Sequence, residues 1–125
     1  MSEQREPKLE LIGATKRFDG RTVIDHLDLS VMPGETMVIM GSSGCGKSTT
    51  LRMMIGDYVP DEGQVKMFGR DLAELDDEGL GEVRKRFGIL FQSGALFNSL
   101  GVADNVALPM REHTDLDEQV IQIMV

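Results

Sequence analysis

From residue 41 to residue 48 the chain reads Gly41-Ser42-Ser43-Gly44-Cys45-Gly46-Lys47-Ser48, with glycine, lysine and hydroxyl in the places that phosphate-binding chemistry requires. Glycines let a backbone turn at positive φ and come close to an anion. Successive N–H groups then converge on a concave nest, and the N-terminus of a following helix adds partial positive charge. In that chemistry Lys47 reaches the β- and γ-phosphates, and the Ser48 hydroxyl is a ligand of Mg²⁺. Thr49, one residue further on, is placed to donate to the α-phosphate. Cys45 fills a variable position as a small residue that fits. The loop by itself specifies a nucleoside triphosphate and leaves the reaction open.

Such a loop must be held between a strand and a helix. Thr36-Met37-Val38-Ile39-Met40 is an unbroken apolar run, expected as a strand buried on both faces. After the loop, Leu51, Met54 and Ile55 recur at helical spacing, with Gly56 as the expected stop. Upstream, residues 8–18 read as a strand with Leu9, Leu11 and Gly13 on one face. Asp19-Gly20-Arg21 is a turn signal, and residues 22–31 read as a second strand. Leu27, Leu29 and Val31 alternate there with Asp28 and Ser30, so the pair is expected as a hairpin around Asp-Gly with one wet face.

Downstream, Pro60-Asp61-Glu62-Gly63 reads as a turn and residues 64–68 as a short strand. Residues 76–86 are expected as a helix whose acidic start and basic end, Arg84-Lys85-Arg86, complement its dipole. That triplet is read as a solvated helix end rather than an anion site. Residues 87–91 are expected as another buried strand, ending at Gln92-Ser93-Gly94. Residues 102–110 and the stretch from Thr114 onward read as helices, with Thr114 as N-cap and Leu116, Val120, Ile121 and Met124 forming an apolar face.

A length of 125 residues is at most one domain or a piece of one. The single cysteine allows no internal disulfide and suits a reducing compartment. Met1–Lys8 is polar and has no apolar stretch of signal-peptide length. No segment approaches the roughly 20 apolar residues of a membrane span, so any link to a membrane is expected to run through a partner protein. The net charge of −8 argues against nucleic-acid binding, which relies on basic patches.

Taken together, these motifs resemble the first half of an ATP-binding cassette (ABC) transporter ATPase. Lys16-Arg17-Phe18 is similar to the family's aromatic A-loop, in which Phe18 would stack on adenine. Pro33-Gly34-Glu35 matches the approach to the P-loop, and Pro60-Asp61-Glu62-Gly63 with Gly69-Arg70-Asp71-Leu72 matches the turns around the next family strand. Gly88-Ile89-Leu90-Phe91-Gln92 is similar to the Q-loop, whose glutamine contacts Mg²⁺ and the attacking water and couples the site to the membrane subunit. Phe91 to Leu100, with Asp104-Asn105-Val106-Ala107-Leu108-Pro109 and Arg111-Glu112, looks most like the Mla-type phospholipid transporter ATPases. Amino-acid importers share much of the same frame. Gly101 departs from the pattern, which has threonine opening the following helix, so the hydroxyl cap of that helix is absent.

The resemblance implies an α/β fold: a P-loop NTPase (RecA-like) core with an N-terminal antiparallel β subdomain, cut at the start of the helical subdomain. Residues 1–35 would be the β subdomain, 36–91 part of the P-loop core, and 92–125 the Q-loop and the first helical segment. It implies ATP and Mg²⁺ as ligands. Phe18, Gly41, Ser42, Ser43, Gly44, Cys45, Gly46, Lys47, Ser48 and Thr49 would hold the nucleotide, Ser48 and Gln92 the metal, and Gln92 would serve the hydrolytic step. A transmembrane permease subunit and a second ATPase subunit are the implied partners. The implied location is cytoplasmic, peripheral to the inner membrane.

The family's signature motif, Walker B strand and switch histidine have no counterpart among the 125 residues, and His26 and His113 stand in the wrong places to replace the last. The resemblance thus implies an N-terminal fragment, expected to fold poorly and to turn over no ATP. A module that holds nucleotide without hydrolysing it is the alternative. A GTPase or small-molecule kinase is disfavoured, since no Asn-Lys-x-Asp guanine motif occurs.

Overall fold

Two long strands and a tight turn begin the fold. The structure, a computed structural model, describes residues 6–125, so most of the polar stretch Met1–Lys8 lies outside the described residues. Strand β1 (Leu9–Phe18) pairs antiparallel with β2 (Arg21–Val31), from Leu9 opposite Val31 to Phe18 opposite Arg21. Asp19 and Gly20 take φ of 49° and 76°, the type I′ geometry whose twist matches that of the flanking strands. The expected hairpin is present, with a two-residue turn. Its register shifts between Leu11 and Ala14 and again beside Lys16, so Leu11, Ala14 and Thr15 all turn inward.

On the other side of β1 lies β3 (Glu62–Met67), followed by the two-residue β4 (Arg70–Asp71), giving a four-stranded antiparallel sheet in the order β2-β1-β3-β4. Asp61 does not sit in a free turn: its N–H donates to Thr15 O at 2.8 Å, and its carboxylate accepts from Arg17 N–H at 2.6 Å. Helix α1 (Lys47–Met54) lies on this sheet. It buries Thr50, Met53 and Met54, at the i, i+3, i+4 spacing of one helix face. Leu11, Ala14, Ile24 and Val65 of the sheet complete the core with Met53 and Met54. Leu51, expected to face inward, is 40% exposed. Eight residues with three consecutive apolar ones, Met53-Met54-Ile55, leave the phase of the helix to tertiary packing.

Gly56 ends α1 as expected, with φ of 78°. Gly56 N–H donates to Met53 O at 3.1 Å and Asp57 N–H to Arg52 O at 2.9 Å, the two bonds of a Schellman motif. Helix α2 (Asp77–Arg84) is capped by Asp76, whose carboxylate accepts from Gly79 N–H at 2.8 Å. Its basic end is exposed but not idle: Arg84 Nε donates to Ile55 O at 3.3 Å, and the Arg86 guanidinium lies 3.9 Å from the Phe68 ring centroid.

Two expected strands do not form. Residues 36–40 are in no strand, with Val38 68% and Met40 84% exposed. Residues 87–91 are likewise in no strand, and Leu90 is 84% exposed. A strand of a parallel sheet needs neighbours distant in sequence, and among the described residues neither run has one.

The chain divides into two compact units, Met1–Arg86 and Phe87–Val125. The second holds α3 (Val102–His113) and α4 (Glu118–Met124), which pack on each other and bury Ala107 and Ile121. Thr114 does not cap α4. Its hydroxyl donates back to Met110 O at 2.6 Å and closes α3, while Asp117 stands at the α4 N-cap. Among the described residues, no helix is long and apolar enough to cross a membrane.

Candidate functional site

The loop that ends at Lys47 is wound by its glycines onto the start of α1. Gly46, at φ 105°, is the N-cap. A Cβ there would lie 2.6 Å from Ile24 Cδ1 and 3.3 Å from Val23 O, so both the backbone angle and the approach of β2 require glycine. At Gly41 a Cβ would meet Cys45 Sγ at 2.5 Å. Thr50 locks the loop from the helix side, its N–H and its hydroxyl both donating to Gly46 O at 2.9 Å.

Inside this winding sits the Lys47 ammonium. Nζ donates to Gly41 O at 2.5 Å and to Ser42 O at 2.7 Å, with Cys45 Sγ a weak third neighbour at 3.7 Å. An ammonium has three N–H donors: two hold the loop closed on carbonyls, and the third rests on the weak thiol contact, which a phosphate oxygen would readily replace. The helical ladder opens only with Thr50, leaving the N–H groups of Lys47, Ser48 and Thr49 without helical acceptors. Gly46 supplies no side-chain cap, and no acid lies in the first turn of α1. A helix N-terminus left uncapped, with a cation beside it, fits a polyanion. Gly41, Ser42 and Cys45 are thus gathered around Lys47 Nζ, and Ser48 is exposed on the first helical turn.

Two hollows border the loop. One, of about 270 Å³, lies between β2 and the loop and includes Val23, Asp25, Gly46 and Lys47 in its lining. The other, of about 430 Å³, is bounded by Met37, Ile39, Leu51 and Met54 besides Lys47 and Ser48. Its wall is largely apolar, which suits packing rather than phosphate.

Phe18 ends β1 in the same unit as the loop and is 37% exposed. Its ring meets the Tyr58 ring edge-on, with centroids 5.3 Å apart at 67°, and Lys16 Nζ lies 5.4 Å from its centroid. Gln92 belongs to the second unit, exposed in the turn after Phe91. Its part in the site stays a sequence expectation.

Helix α3 begins at Val102 despite Gly101, which takes an extended conformation at the N-cap without a side-chain bond. Asn105 does the work there. Its Oδ1 accepts from Phe97 N–H at 2.9 Å, and its Nδ2 donates to Phe97 O, Leu100 O and Gly101 O at 3.0–3.2 Å.

Compared with known proteins, residues 24–125 match the ABC transporter family. The chain belongs to the ABC transporter family. The intermembrane phospholipid transport system ATP-binding protein MlaF of Haemophilus influenzae is 44% identical over 117 residues, covering 94% of this chain and 44% of the relative. The probable ribonucleotide transport ATP-binding protein mkl of Mycobacterium leprae is 40% identical over 117 residues, covering 94% of this chain and 34% of the relative. The dimeric ATP-binding cassette MJ0796, bound to ADP and Pi, superposes with a TM-score of 0.82 at 28% identity, over 92% of this chain and 53% of that one. The chain spans less than half the length of these curated relatives.

For an ABC transporter chain, then, the α/β cassette fold follows from family and structure together. Sequence reasoning passed over Thr50, Ile24 and Tyr58, and quoted Asn105 without its bonds to Phe97, Leu100 and Gly101. Thr50 has a local signal, a threonine four residues after a glycine N-cap. Tyr58 had none, because its partner is forty residues away.

Proposed function

We propose that this chain is the ATP-binding part of an ABC transporter ATPase that powers phospholipid transport through a membrane permease. The winding of Gly41–Thr49 around Lys47 carries the nucleotide half of this reading. Lys47 would exchange its weak thiol contact for the β- and γ-phosphates, and the first-turn N–H groups of α1 would receive the remaining charge. Mg²⁺ at Ser48 would neutralise charge on the phosphate oxygens. Phe18 offers an aromatic face to the base, and Gln92 would orient metal and water from the turn after Phe91. A second ATPase subunit, a permease partner and a cytoplasmic position at the inner membrane belong to the same reading. So does the division into a β subdomain (residues 1–35), a P-loop part (36–91) and a Q-loop and helical part (92–125).

The phospholipid half rests on MlaF of H. influenzae, which exceeds the ribonucleotide-transport relative in identity, 44% against 40%, over matches of equal length. The test is a chimaera in which the part of that MlaF lying beyond the match follows Val125, placed with its permease in lipid vesicles. ATP-dependent movement of a fluorescent phospholipid is expected. ATP hydrolysis with no lipid movement would reject the lipid substrate and leave the nucleotide reading standing.

A further inference from the structure

Phe18 stands at the end of a strand, beside a turn and partly exposed, where an unsupported ring would swing between rotamers. It is not unsupported. Tyr58 presses its ring against Phe18 edge-on at 5.3 Å and 67°, the arrangement in which the positive edge of one ring meets the negative face of the other. Tyr58 is itself anchored twice. Its half-buried ring packs against the core that contains Met53 and Met54, and its N–H donates to Arg52 O at 3.2 Å, beside the Schellman bond from Asp57. Arg52 covers the Tyr58 ring at 5.6 Å, and Lys16, pinned to Val59 O at 2.9 Å, lies 5.4 Å from the Phe18 centroid. The segment that sets Tyr58 is therefore the C-terminal end of α1, and the N-terminal end of α1 is the phosphate loop with Lys47.

We infer that Tyr58 is a positioning residue for the nucleotide base, fixing the Phe18 ring relative to the phosphate loop through helix α1. This rests on the reading of Phe18 as the base platform. It assigns to Tyr58 a contribution to binding of the base and none to binding of the phosphates. A residue that merely stabilised the core would affect both ligand parts alike.

The chain contains one tyrosine and no tryptophan, so its ultraviolet emission reports Tyr58 alone. The experiment uses the full chain, titrated calorimetrically with ATP and with inorganic tripolyphosphate, for wild type, Tyr58→Ala, Tyr58→Phe and Phe18→Ala, with tyrosine emission followed in the two chains that keep Tyr58. A tyrosine–phenylalanine edge contact corresponds to about a threefold to tenfold change in a dissociation constant. Tyr58→Ala should weaken ATP by that factor and leave tripolyphosphate unchanged, and Tyr58→Phe, which keeps the ring edge, should bind ATP like wild type. ATP, but not tripolyphosphate, should quench Tyr58 emission. Should Tyr58→Ala not fold, Tyr58→Leu keeps apolar volume against the core without a ring and should show the same selective loss. Equal weakening of both ligands would overturn the inference, as would full ATP affinity in Tyr58→Ala while Phe18→Ala is impaired. Undiminished ATP binding by Phe18→Ala would instead reject the base platform, and the inference with it.

Discussion

At Gly46 the backbone sits at φ 105° with Ile24 Cδ1 2.6 Å from where a Cβ would stand, so one added methyl group is a sharp probe of the loop. Gly46→Ala must either displace β2 or unwind the N-cap, and strain of this kind costs about 1–3 kcal/mol. Urea unfolding followed by circular dichroism should show that loss, together with weakened ATP binding. An alanine variant as stable and as avid as wild type would mean the loop tolerates another winding. Phe18 calls for a different expectation, because stacking is indifferent to base identity. Phe18→Ala should cost about 1–3 kcal/mol of binding, with ATP and GTP affected alike. A loss confined to ATP would point to hydrogen bonding rather than to the ring.

Among the elements, α3 and α4 are joined by one cation. Arg111 donates to Asp104 at 3.0 Å and to Glu118 at 2.5 and 3.1 Å, and its bonds to Glu118 lower that carboxyl from its ordinary 4.5 to about 2. A depressed pKa means the clasp is fully present above about 4.5 and is lost as pH falls through about 2. Carboxyl titration by NMR should show the low midpoint in wild type and a return toward 4.5 in Arg111→Ala; equal midpoints would remove the clasp. High salt should raise the wild-type midpoint, since all three side chains are substantially exposed. Such contacts show how far sequence reaches. The β1–β2 hairpin was legible because Asp-Gly specifies its own turn, and the loop because its spacing carries a mechanism. The runs 36–40 and 87–91 have the composition of buried strands, but pairing is not a local property, and both stand exposed. Thr114 could bond forward or backward, and the backward carbonyl of Met110 won. The Phe18–Tyr58 contact joins residues forty apart, beyond any window that periodicity can read.

For the whole molecule, Met37 to Met40 present apolar side chains, with Val38 and Met40 the most exposed. Unpaired apolar segments of this kind promote association between chains. Sedimentation velocity should find concentration-dependent self-association that Val38→Glu reduces; a monodisperse wild-type monomer across the same range would contradict this. Nucleotide binding should survive in either form, because every group in the winding around Lys47 lies within the first compact unit. The most direct measurement is calorimetric titration of the chain with ATP and Mg²⁺, compared with Lys47→Ala. A charge-assisted hydrogen bond contributes about 1.5–3 kcal/mol, so saturable binding should weaken at least about tenfold in the variant. Unchanged affinity in Lys47→Ala, or no binding by the wild-type chain, would contradict the assignment of this loop as the nucleotide site.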